Sequence, residues 1–321
     1  MDEPLILSLG SINADFQVRV EAALEPGQTL LASDFLRLSG GKAANRAFIA
    51  RRLGVAAQLV GRVGDDDLAA QALDPLRTAG VDVDGVSVAV GSATAVSMIA
   101  VPPDGEKNIV LALNANDRWD DAAVRDLLDR IARAPRGSVL ALDCEIPQEV
   151  VAQALDAAHE AGLRVVLDPS SATRVDTALL DRVYAITANP GEAGVVTGIA
   201  VESDADAVRA ARTLADAGVR LACVKRTDGG CVFVCGGRVH AVGSPGVETV
   251  DSTGAGDAFA GALAVALLEG REDAEAVVFA VAAAALAATA YGSQPSYPDR
   301  DRIGALLPRL DVRTHAADSS A

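Results

Sequence analysis

Residues 250–261 read Val-Asp-Ser-Thr-Gly-Ala-Gly-Asp-Ala-Phe-Ala-Gly. A β-branched run, 247–250, leads into this stretch, and an Ala- and Leu-rich run of helical character, 258–268, follows it. If Gly254, Ala255 and Gly256 open the helix, their N–H groups have no partner within it, and with the positive end of the helix dipole they form an anion site. Asp257 adds a carboxylate beside that site. We interpret this as a phosphoryl-transfer site in which Asp257 takes the proton from an attacking hydroxyl.

The same spacing also fits an ordinary strand-to-helix junction in which Asp257 only interacts with the helix dipole. The residues, however, resemble the carboxy-terminal signature of the ribokinase-like carbohydrate kinases, the family that includes the B-type phosphofructokinases. Its pattern is D-T-x-G-A-G-D, and it is matched closely at residues 251–257. The resemblance implies that Gly254, Ala255 and Gly256 form the anion hole and that Asp257 is the catalytic base.

The composition limits the class of protein. The chain has 321 residues, of which 50% are hydrophobic, and this suits one large domain with an Ala-, Val- and Leu-rich core. A formal net charge of −16 disfavours nucleic acid as a partner, because no basic stripe is present to release counterions. The four cysteines lack paired metal spacing and are expected to be reduced core residues. No signal peptide or membrane-length apolar run is visible, so we expect a cytoplasmic protein.

Strands and helices alternate regularly from residue 121 onward. Helices at 121–133, 148–161 and 177–181 are each followed by a strand, at 138–142, 164–167 and 184–188. Such alternation predicts an α/β fold: a doubly wound, mostly parallel sheet flanked by helices. Two patches of short alternating segments, 14–38 and 94–113 with a turn at 103–106, predict a small separate β-sheet. We expect one domain over 1–313 and a disordered tail over 314–321.

The resemblance gives the small sheet a function. It implies a lid over a sugar, through which two subunits form a homodimer. Closure of such a lid would exclude water from the site. A kinase needs this exclusion so that ATP is not hydrolysed.

Polar residues near the amino terminus predict the sugar site. Asn13 and Asp15 follow a buried strand, where open α/β sheets bind ligands, although each alone also fits an Asx turn. Residues 40–45, Gly-Gly-Lys-Ala-Ala-Asn, resemble the second family signature, G-G-K-G-A-N, with Ala43 in place of glycine. Taken alone, Lys42 also fits a solvated surface lysine. The sugar contacts implied by the resemblance are Asn13, Asp15, Gly41, Lys42, Asn45, Glu145 and Asp257.

Two further motifs predict the nucleotide site. Residues 189–192, Asn-Pro-Gly-Glu, match the N-x-x-E motif, whose Glu organises Mg²⁺ through water, although Glu192 alone also fits a helix-dipole partner. Residues 224–230 resemble the nucleotide loop V-[TK]-x-G-x-x-G, with Thr227 in place of its first glycine. The nucleotide contacts implied are Asn189, Glu192, Lys225, Thr227, Gly230, Gly254 and Gly256.

The segment 291–296, which contains Gly-x-Gln-Pro-Ser, either forms an ordinary turn or completes a cation site. The resemblance implies a monovalent cation, K⁺, held by Asp251, Thr253, Ala287, Gly292 and Ser296.

Together these features predict an ATP-dependent sugar kinase that uses Mg²⁺ and K⁺ and phosphorylates a primary hydroxyl, most simply that of D-ribose. Other acceptors within the family stay open: fructose, another pentose, a nucleoside or a keto-deoxy sugar acid. A sugar-binding regulator without catalysis is the alternative from a different class. Nucleic acid and membranes are not expected as partners.

Overall fold

The computed structural model describes residues 3–103 and 107–314. The strands are β1 (Ile6–Leu9), β2 (Asn13–Val20), β3 (Ala32–Gly40), β4 (Ala57–Gly64), β5 (Asp82–Ala89), β6 (Ala95–Val101), β7 (Asn108–Ala112), β8 (Val139–Asp143), β9 (Arg164–Asp168), β10 (Ala185–Ala188), β11 (Leu221–Lys225), β12 (Cys231–Cys235), β13 (Arg238–Val242) and β14 (Val312–Thr314). The helices are α1 (Lys42–Arg52), α2 (Leu68–Thr78), α3 (Asp121–Arg133), α4 (Gln148–Glu160), α5 (Pro190–Thr197), α6 (Asp204–Asp216), α7 (Ala255–Leu268), α8 (Asp273–Ala287) and α9 (Arg300–Leu306).

The main sheet confirms the predicted fold class. Within the described residues its strand order is β14-β13-β12-β11-β10-β9-β8-β1-β4-β5. The pairs from β5 to β11 are parallel, and those from β11 to β14 are antiparallel. The chain passes from β1 to β4 and β5 on one side and continues from β8 on the other. This reversal between β1 and β8 is a topological switch point, where open α/β sheets bind ligands.

Helices cover both faces of the main sheet. One hydrophobic cluster packs α1, α2, α7 and α8 against one face, and a second packs α3, α4 and α6 against the other. Most residues of helices α7 and α8 are buried on every side of the helix. Both helices are rich in alanine, which is small and apolar and lets neighbouring elements pack closely around them. Gly261 lies where α7 meets α1, and a Cβ there would overlap the Ile49 side chain. None of the described helices is long and apolar enough to span a membrane.

The two predicted β patches form a separate four-stranded sheet with the order β3-β2-β6-β7, which we call the lid sheet. Its two faces differ. Asp15, Ser97 and Leu111 are paired across three strands and line a cavity. Phe16, Met98 and Val110 are paired across the same strands on the opposite face. Residues 104–106 of the predicted turn lie outside the described residues.

Several local predictions differ from the structure. The run 247–250 is not a strand, because the N–H groups of Val250 and Asp251 both donate to the Ala288 carbonyl beyond the end of α8. The predicted helix at 177–181 is a 3-10 helix, Thr177–Arg182, capped by the Asp176 carboxylate. Strand β14 ends at Thr314, the first residue of the predicted tail, and the rest of that segment lies outside the described residues. Cys144, Cys223 and Cys231 are buried free thiols, and Cys235 is a half-buried one.

Candidate active site

A cavity of about 710 Å³ lies at the carboxyl edge of the main sheet, beneath the lid sheet. It brings together residues that are far apart in the sequence, from the end of β1 to the start of α7. The predicted sugar and nucleotide residues all line it: Asn13, Asp15, Gly41, Lys42, Asn45, Glu145, Asn189, Glu192, Lys225, Thr227, Gly230, Gly254, Ala255, Gly256 and Asp257.

The amino terminus of α7 points into this cavity. Gly254 adopts a left-handed conformation, with φ of 75°, and a Cβ there would lie 2.7 Å from Ser293 Cβ and from the Tyr297 hydroxyl. Only glycine fits without strain, and the bare backbone can approach a ligand closely. The Ala255 N–H donates to the Ser252 carbonyl at 3.2 Å, so this donor is engaged in a turn. Gly256 belongs to the first turn, where N–H groups have no acceptor within the helix.

The Asp257 carboxylate is oriented through one of its two oxygens. Asn45 Nδ2 donates to Asp257 Oδ2 at 2.7 Å, and Gln294 Nε2 donates to Asn45 Oδ1 at 3.0 Å. Asp257 Oδ1 is buried with no hydrogen-bond partner among the described residues, and Lys42 Nζ lies 3.6 Å from it. One oxygen is therefore fixed by the protein while the other is available to a ligand. The orienting function of Gln294 was not predicted, although its segment was noted.

Lys42 lies between two carboxylates, 3.6 Å from both Asp257 Oδ1 and Asp168 Oδ1. Burial acts to lower the pKa of Lys42, but the carboxylates around it outweigh burial and hold that pKa well above its ordinary value. Burial likewise acts to raise the pKa of Asp168, and Lys42 and Lys225 together bring it below its ordinary value. Both groups are therefore charged at neutral pH. Asp168 was not predicted as a site residue; its place at the end of β9 was the available signal.

The proposed sugar end of the cavity contains buried polar groups. Asn13 Nδ2 donates to Ser97 Oγ of the lid sheet at 3.1 Å, and Asn13 Oδ1 accepts from Asn116 Nδ2 at 2.9 Å. The pKa values of Asp15 and Glu145 are both raised to about 7, and burial is the largest cause in each case. The protein does not fully offset the cost of burying these carboxylates in their charged form. Such groups are typical of sites that bind a polar ligand.

Comparison with known proteins agrees with this geometry. Residues 3–300 match the profile of the pfkB family of carbohydrate kinases. The chain belongs to the pfkB family. It is therefore a phosphotransferase with an alcohol group as acceptor. ATP is the substrate of ribokinase-like kinases, and one of the solved ribokinase structures contains it.

Individual relatives support the same assignment. The chain is 32% identical over 292 residues to a ribokinase from Haemophilus influenzae, covering 91% of this chain and 94% of the relative. It is 30% identical over 302 residues to a ribokinase from Bacillus subtilis, covering 94% and 99%. The solved structure of Arabidopsis thaliana ribokinase complexed with ribose and ATP superimposes with a TM-score of 0.78 at 30% identity, covering 96% of this chain and 99% of that one.

Beneath the part of the cavity predicted to bind sugar lies a buried ion pair that was not predicted from the sequence. Arg46 Nη2 donates to Asp143 Oδ2 at 2.7 Å, and both side chains are fully buried. The Asp143 carboxylate also accepts the N–H groups of Ser11 and Glu145. Gly10 lies so close that a Cβ there would overlap this carboxylate. We call Gly10, Ser11, Arg46 and Asp143 the cavity floor; it fixes the backbone that precedes Asn13 and the backbone of Glu145.

The part of the cavity predicted to bind nucleotide is built from α5 and the loop between β11 and β12. Asn189 and Glu192 form a capping box: Asn189 Oδ1 accepts from the Glu192 N–H, and Glu192 Oε2 accepts from the Asn189 N–H, both at 2.8 Å. Burial raises the pKa of Glu192, and the Asp168 charge adds to this. Arg226 pairs with Asp204 and Asp228, which fixes the loop that carries Thr227. Thr227 itself is exposed.

Three of the residues predicted for the cation site lie together. Asp251 is fully buried and accepts the N–H groups of Thr253 at 2.8 Å and Gly292 at 2.9 Å. Gln17 of the lid sheet also donates to it, at 2.8 Å. Ser296 Oγ donates to the Ser293 carbonyl, and Ala287 ends α8 one residue before Ala288, whose carbonyl accepts from Asp251 N.

Proposed function

We propose that this pfkB kinase transfers the γ-phosphoryl group of ATP to the primary hydroxyl of D-ribose, forming ribose 5-phosphate. The observation that carries the proposal is the position of Asp257 Oδ1. This oxygen lies between a polar end suited to a sugar and the amino terminus of α7 suited to a phosphoryl group. The ribokinases among the relatives support ribose as the first choice of acceptor.

The polar residues of the sugar end would hold the ring by hydrogen bonds to its hydroxyls. Carboxylate and amide groups such as Asp15, Glu145 and Asn13 suit vicinal diols, and a site built on such bonds rejects analogues that lack a hydroxyl. The lid sheet contributes the Ser97 hydroxyl and the apolar side chains of Ile99 and Leu111 to the same walls. Its cover over the sugar would keep water from the reacting phosphorus.

Asp257 would act as general base. Its Oδ1 accepts the hydroxyl proton as the new oxygen–phosphorus bond forms, while the bond from phosphorus to the departing ADP oxygen breaks. The N–H groups of Gly254 and Gly256 and the Lys42 ammonium would stabilise the charge on the phosphoryl oxygens, whereas the Ala255 N–H is engaged with the Ser252 carbonyl. Asn45 keeps Asp257 in this orientation through the bond to Oδ2.

The described residues fit an indirectly held Mg²⁺ better than a directly ligated one. They contain no group of three His, Cys, Asp or Glu side chains placed to ligate a metal. Mg²⁺ bound to nucleotide commonly keeps several waters and needs only one or two carboxylates. Glu192 fits that function, because burial and Asp168 have raised its pKa and a nearby cation would favour its charged form. When bound, Mg²⁺ would neutralise charge on the nucleotide phosphates.

A K⁺ site beside the anion hole is part of the proposal. Thr253 Oγ1 and Ser293 Oγ are buried without hydrogen-bond partners among the described residues, near the fully buried Asp251. Unpartnered buried oxygens next to a carboxylate fit a monovalent cation. Asp251, Thr253, Gly292 and Ser296 would hold it, with the backbone near Ala287.

The outer face of the lid sheet supports a homodimer. Phe35, Met98 and Val110 are 58%, 53% and 62% exposed, and Phe35 stacks on Phe16 of the same face. An apolar face of this kind favours burial against another surface. A second copy of the chain is the partner we propose, and a cytoplasmic location stays a prediction.

The test is an ADP-release assay with ribose, deoxyribose, fructose, xylulose and adenosine, each with and without K⁺, and with Asp257→Asn as the blank. We expect ribose-dependent turnover that K⁺ stimulates and the variant lacks. Turnover with a different acceptor would keep the mechanism and reject ribose. Absence of turnover with every acceptor, while sugar still binds, would favour a regulator without catalysis.

A further inference from the structure

Lysine is confined to one place in this molecule. The chain has 28 basic residues, and only three of them, Lys42, Lys107 and Lys225, are lysines. All three line the cavity described above. The chain thus uses arginine at every other basic position, whatever the setting.

Lysine and arginine differ in ways that explain why lysine occurs only around the cavity. On a solvated surface either cation serves, and the ion pairs we describe outside the cavity are made by arginine, as at Arg77–Asp74 and Arg133–Asp129. Lysine differs by having a compact ammonium with three donors on a flexible stem, which makes it a frequent point-charge ligand of phosphate. A chain that keeps lysine only around one cavity indicates three positions at which an ammonium is needed.

Two of these lysines are already among the residues predicted for the site, Lys42 for the sugar and Lys225 for the nucleotide. Lys42 lies beside Asp257, and Lys225 lies against the first turn of α7, where a Cβ on Gly256 would be 3.4 Å from its Nζ. Lys107 does not belong to either signature. It lies just before β7 of the lid sheet and lines the cavity.

The Lys107 ammonium lies at the rim of the anion hole. Its Nζ donates to the Ser252 carbonyl at 2.9 Å and to Ser252 Oγ at 3.3 Å. The same carbonyl accepts the N–H of Ala255, the first residue of α7. A phosphate oxygen bound at the amino terminus of α7 would therefore lie within a short side-chain movement of this ammonium.

We propose that Lys107 is a phosphate-binding residue that the lid sheet supplies, and that its ammonium contacts the terminal phosphate of the nucleotide. Lys42 alone is poorly suited to the charge of that group, because its own charge is shared by Asp168 and Asp257 at 3.6 Å each. Lys107 would add a positive charge from the lid sheet when the negatively charged terminal phosphate binds. The inference rests on the phosphoryl-transfer site proposed above.

The decisive variant is Lys107→Met, which keeps an unbranched apolar stem and removes the charge. Lys107→Arg keeps the charge with a different shape, and Arg133→Met, on an exposed helix surface, controls for the loss of one positive charge. Calorimetry with ADP and with a non-hydrolysable ATP analogue gives dissociation constants, and initial rates give kcat and KM for both substrates. The thermal midpoint of each variant checks folding.

For Lys107→Met we expect kcat/KM for ATP to fall about 10- to 100-fold, the loss expected for one hydrogen bond to a charged group. The analogue should lose more affinity than ADP, since the terminal phosphate is the proposed contact. The KM for the sugar should stay within about twofold, Lys107→Arg should recover part of the loss, and Arg133→Met should match the parent protein.

Unchanged nucleotide constants in Lys107→Met would overturn the inference, as would a loss confined to the KM for the sugar. A lowered thermal midpoint in both Lys107 variants, with equal losses for every ligand, would assign Lys107 to holding the lid sheet instead. If the parent protein phosphorylates no acceptor, the proposed function fails, and the nucleotide dissociation constants still decide the part played by Lys107.

Discussion

The cavity and the cavity floor each contain a buried carboxylate with a nearby cation, but only the carboxylate of the floor has both its charge and its hydrogen bonds fully paired. On the floor, the carboxylate of Asp143 accepts from Arg46 at 2.7 Å and from two backbone N–H groups. In the cavity, the described residues give the carboxylate of Asp257 a hydrogen bond to one oxygen only, and its cation, Lys42, also lies beside Asp168. Both carboxylates are buried. The fully paired carboxylate of Asp143 is bound into the fold, and the unpaired oxygen of Asp257 is the one we propose for the substrate.

The sharpest test of this contrast is Asp257→Asn. The amide keeps the shape of the side chain but cannot accept the hydroxyl proton, so kcat should fall about 10²- to 10⁴-fold while sugar affinity changes little. Initial rates with calorimetry of sugar binding measure the two effects, and Asp129→Asn on the exposed surface of α3 is the matched control. A kcat close to that of the parent protein would remove Asp257 as the base.

The floor should respond in stability. Asp143→Leu leaves Arg46 buried without its partner, and breaking such a pair costs about 3–5 kcal/mol. Urea denaturation measures the free energy of unfolding. The double variant Arg46→Met with Asp143→Leu removes both charges and should recover a large part of the loss. A loss below about 1 kcal/mol for the single variant would contradict a structural function for this pair.

The pH dependence of sugar binding offers a third comparison. Burial raises the pKa of Asp15 to about 7, and ionised carboxylates are the stronger acceptors for sugar hydroxyls. The KM for the sugar should therefore fall several-fold as the pH rises from about 6 to 8, because a larger share of Asp15 is charged. Asp15→Asn should weaken binding and flatten this profile, with the remaining slope due to Glu145.

The raised pKa of Asp15 affects stability in the opposite direction from sugar binding, because stability falls as the pH rises. The ordinary pKa of Asp15 is 3.8, so between that value and about 7 the folded protein binds the proton more tightly than the unfolded chain does. The contribution of Asp15 to stability is present below pH 3.8 and is lost as the pH rises toward 7. Urea midpoints at pH 5 and pH 7.5 should lie closer together in Asp15→Asn than in the parent protein.

The smallest effect is expected at Thr227. This residue is exposed, and the ion pairs of Arg226 with Asp204 and Asp228 hold its loop independently of it. Thr227→Gly should therefore change the KM for ATP by less than about threefold, in the range typical of exposed sites. Arg226→Met, which removes both ion pairs, should raise that KM more. The reverse order would show that the side chain at 227 itself contacts nucleotide.

The sequence predicted the elements whose pattern is local. The alternation after residue 121, the two β patches and the start of α7 at Ala255 all follow from turn residues and hydrophobic periodicity. Strand β5, strand β14 and helices α6 and α9 were not predicted. The run 247–250 shows the limit of propensity: its composition is typical of a strand, yet the Ala288 carbonyl takes the N–H of Val250 that a neighbouring strand would need.

The site divides in the same way. Residues within the two signatures could be predicted because their spacing is short and specific. The floor could not, since Arg46 and Asp143 are 97 positions apart and each alone resembles an ordinary charged residue. Gln294, which holds Asn45 from a distance of 249 positions, is a second example. Long-range pairs of this kind need the fold before they can be recognised.

The confinement of lysine to the cavity has a consequence for anyone who handles the protein. Reagents that acylate amines find side-chain targets only at Lys42, Lys107 and Lys225, all of them on cavity walls. Fluorescent esters, biotin esters and amine-coupled sensor surfaces that react at Lys107 or Lys225 would therefore place a bulky group in the cavity, whereas the raised pKa of Lys42 keeps its amine protonated and less reactive. Attachment through an engineered cysteine or the amino terminus leaves the cavity intact.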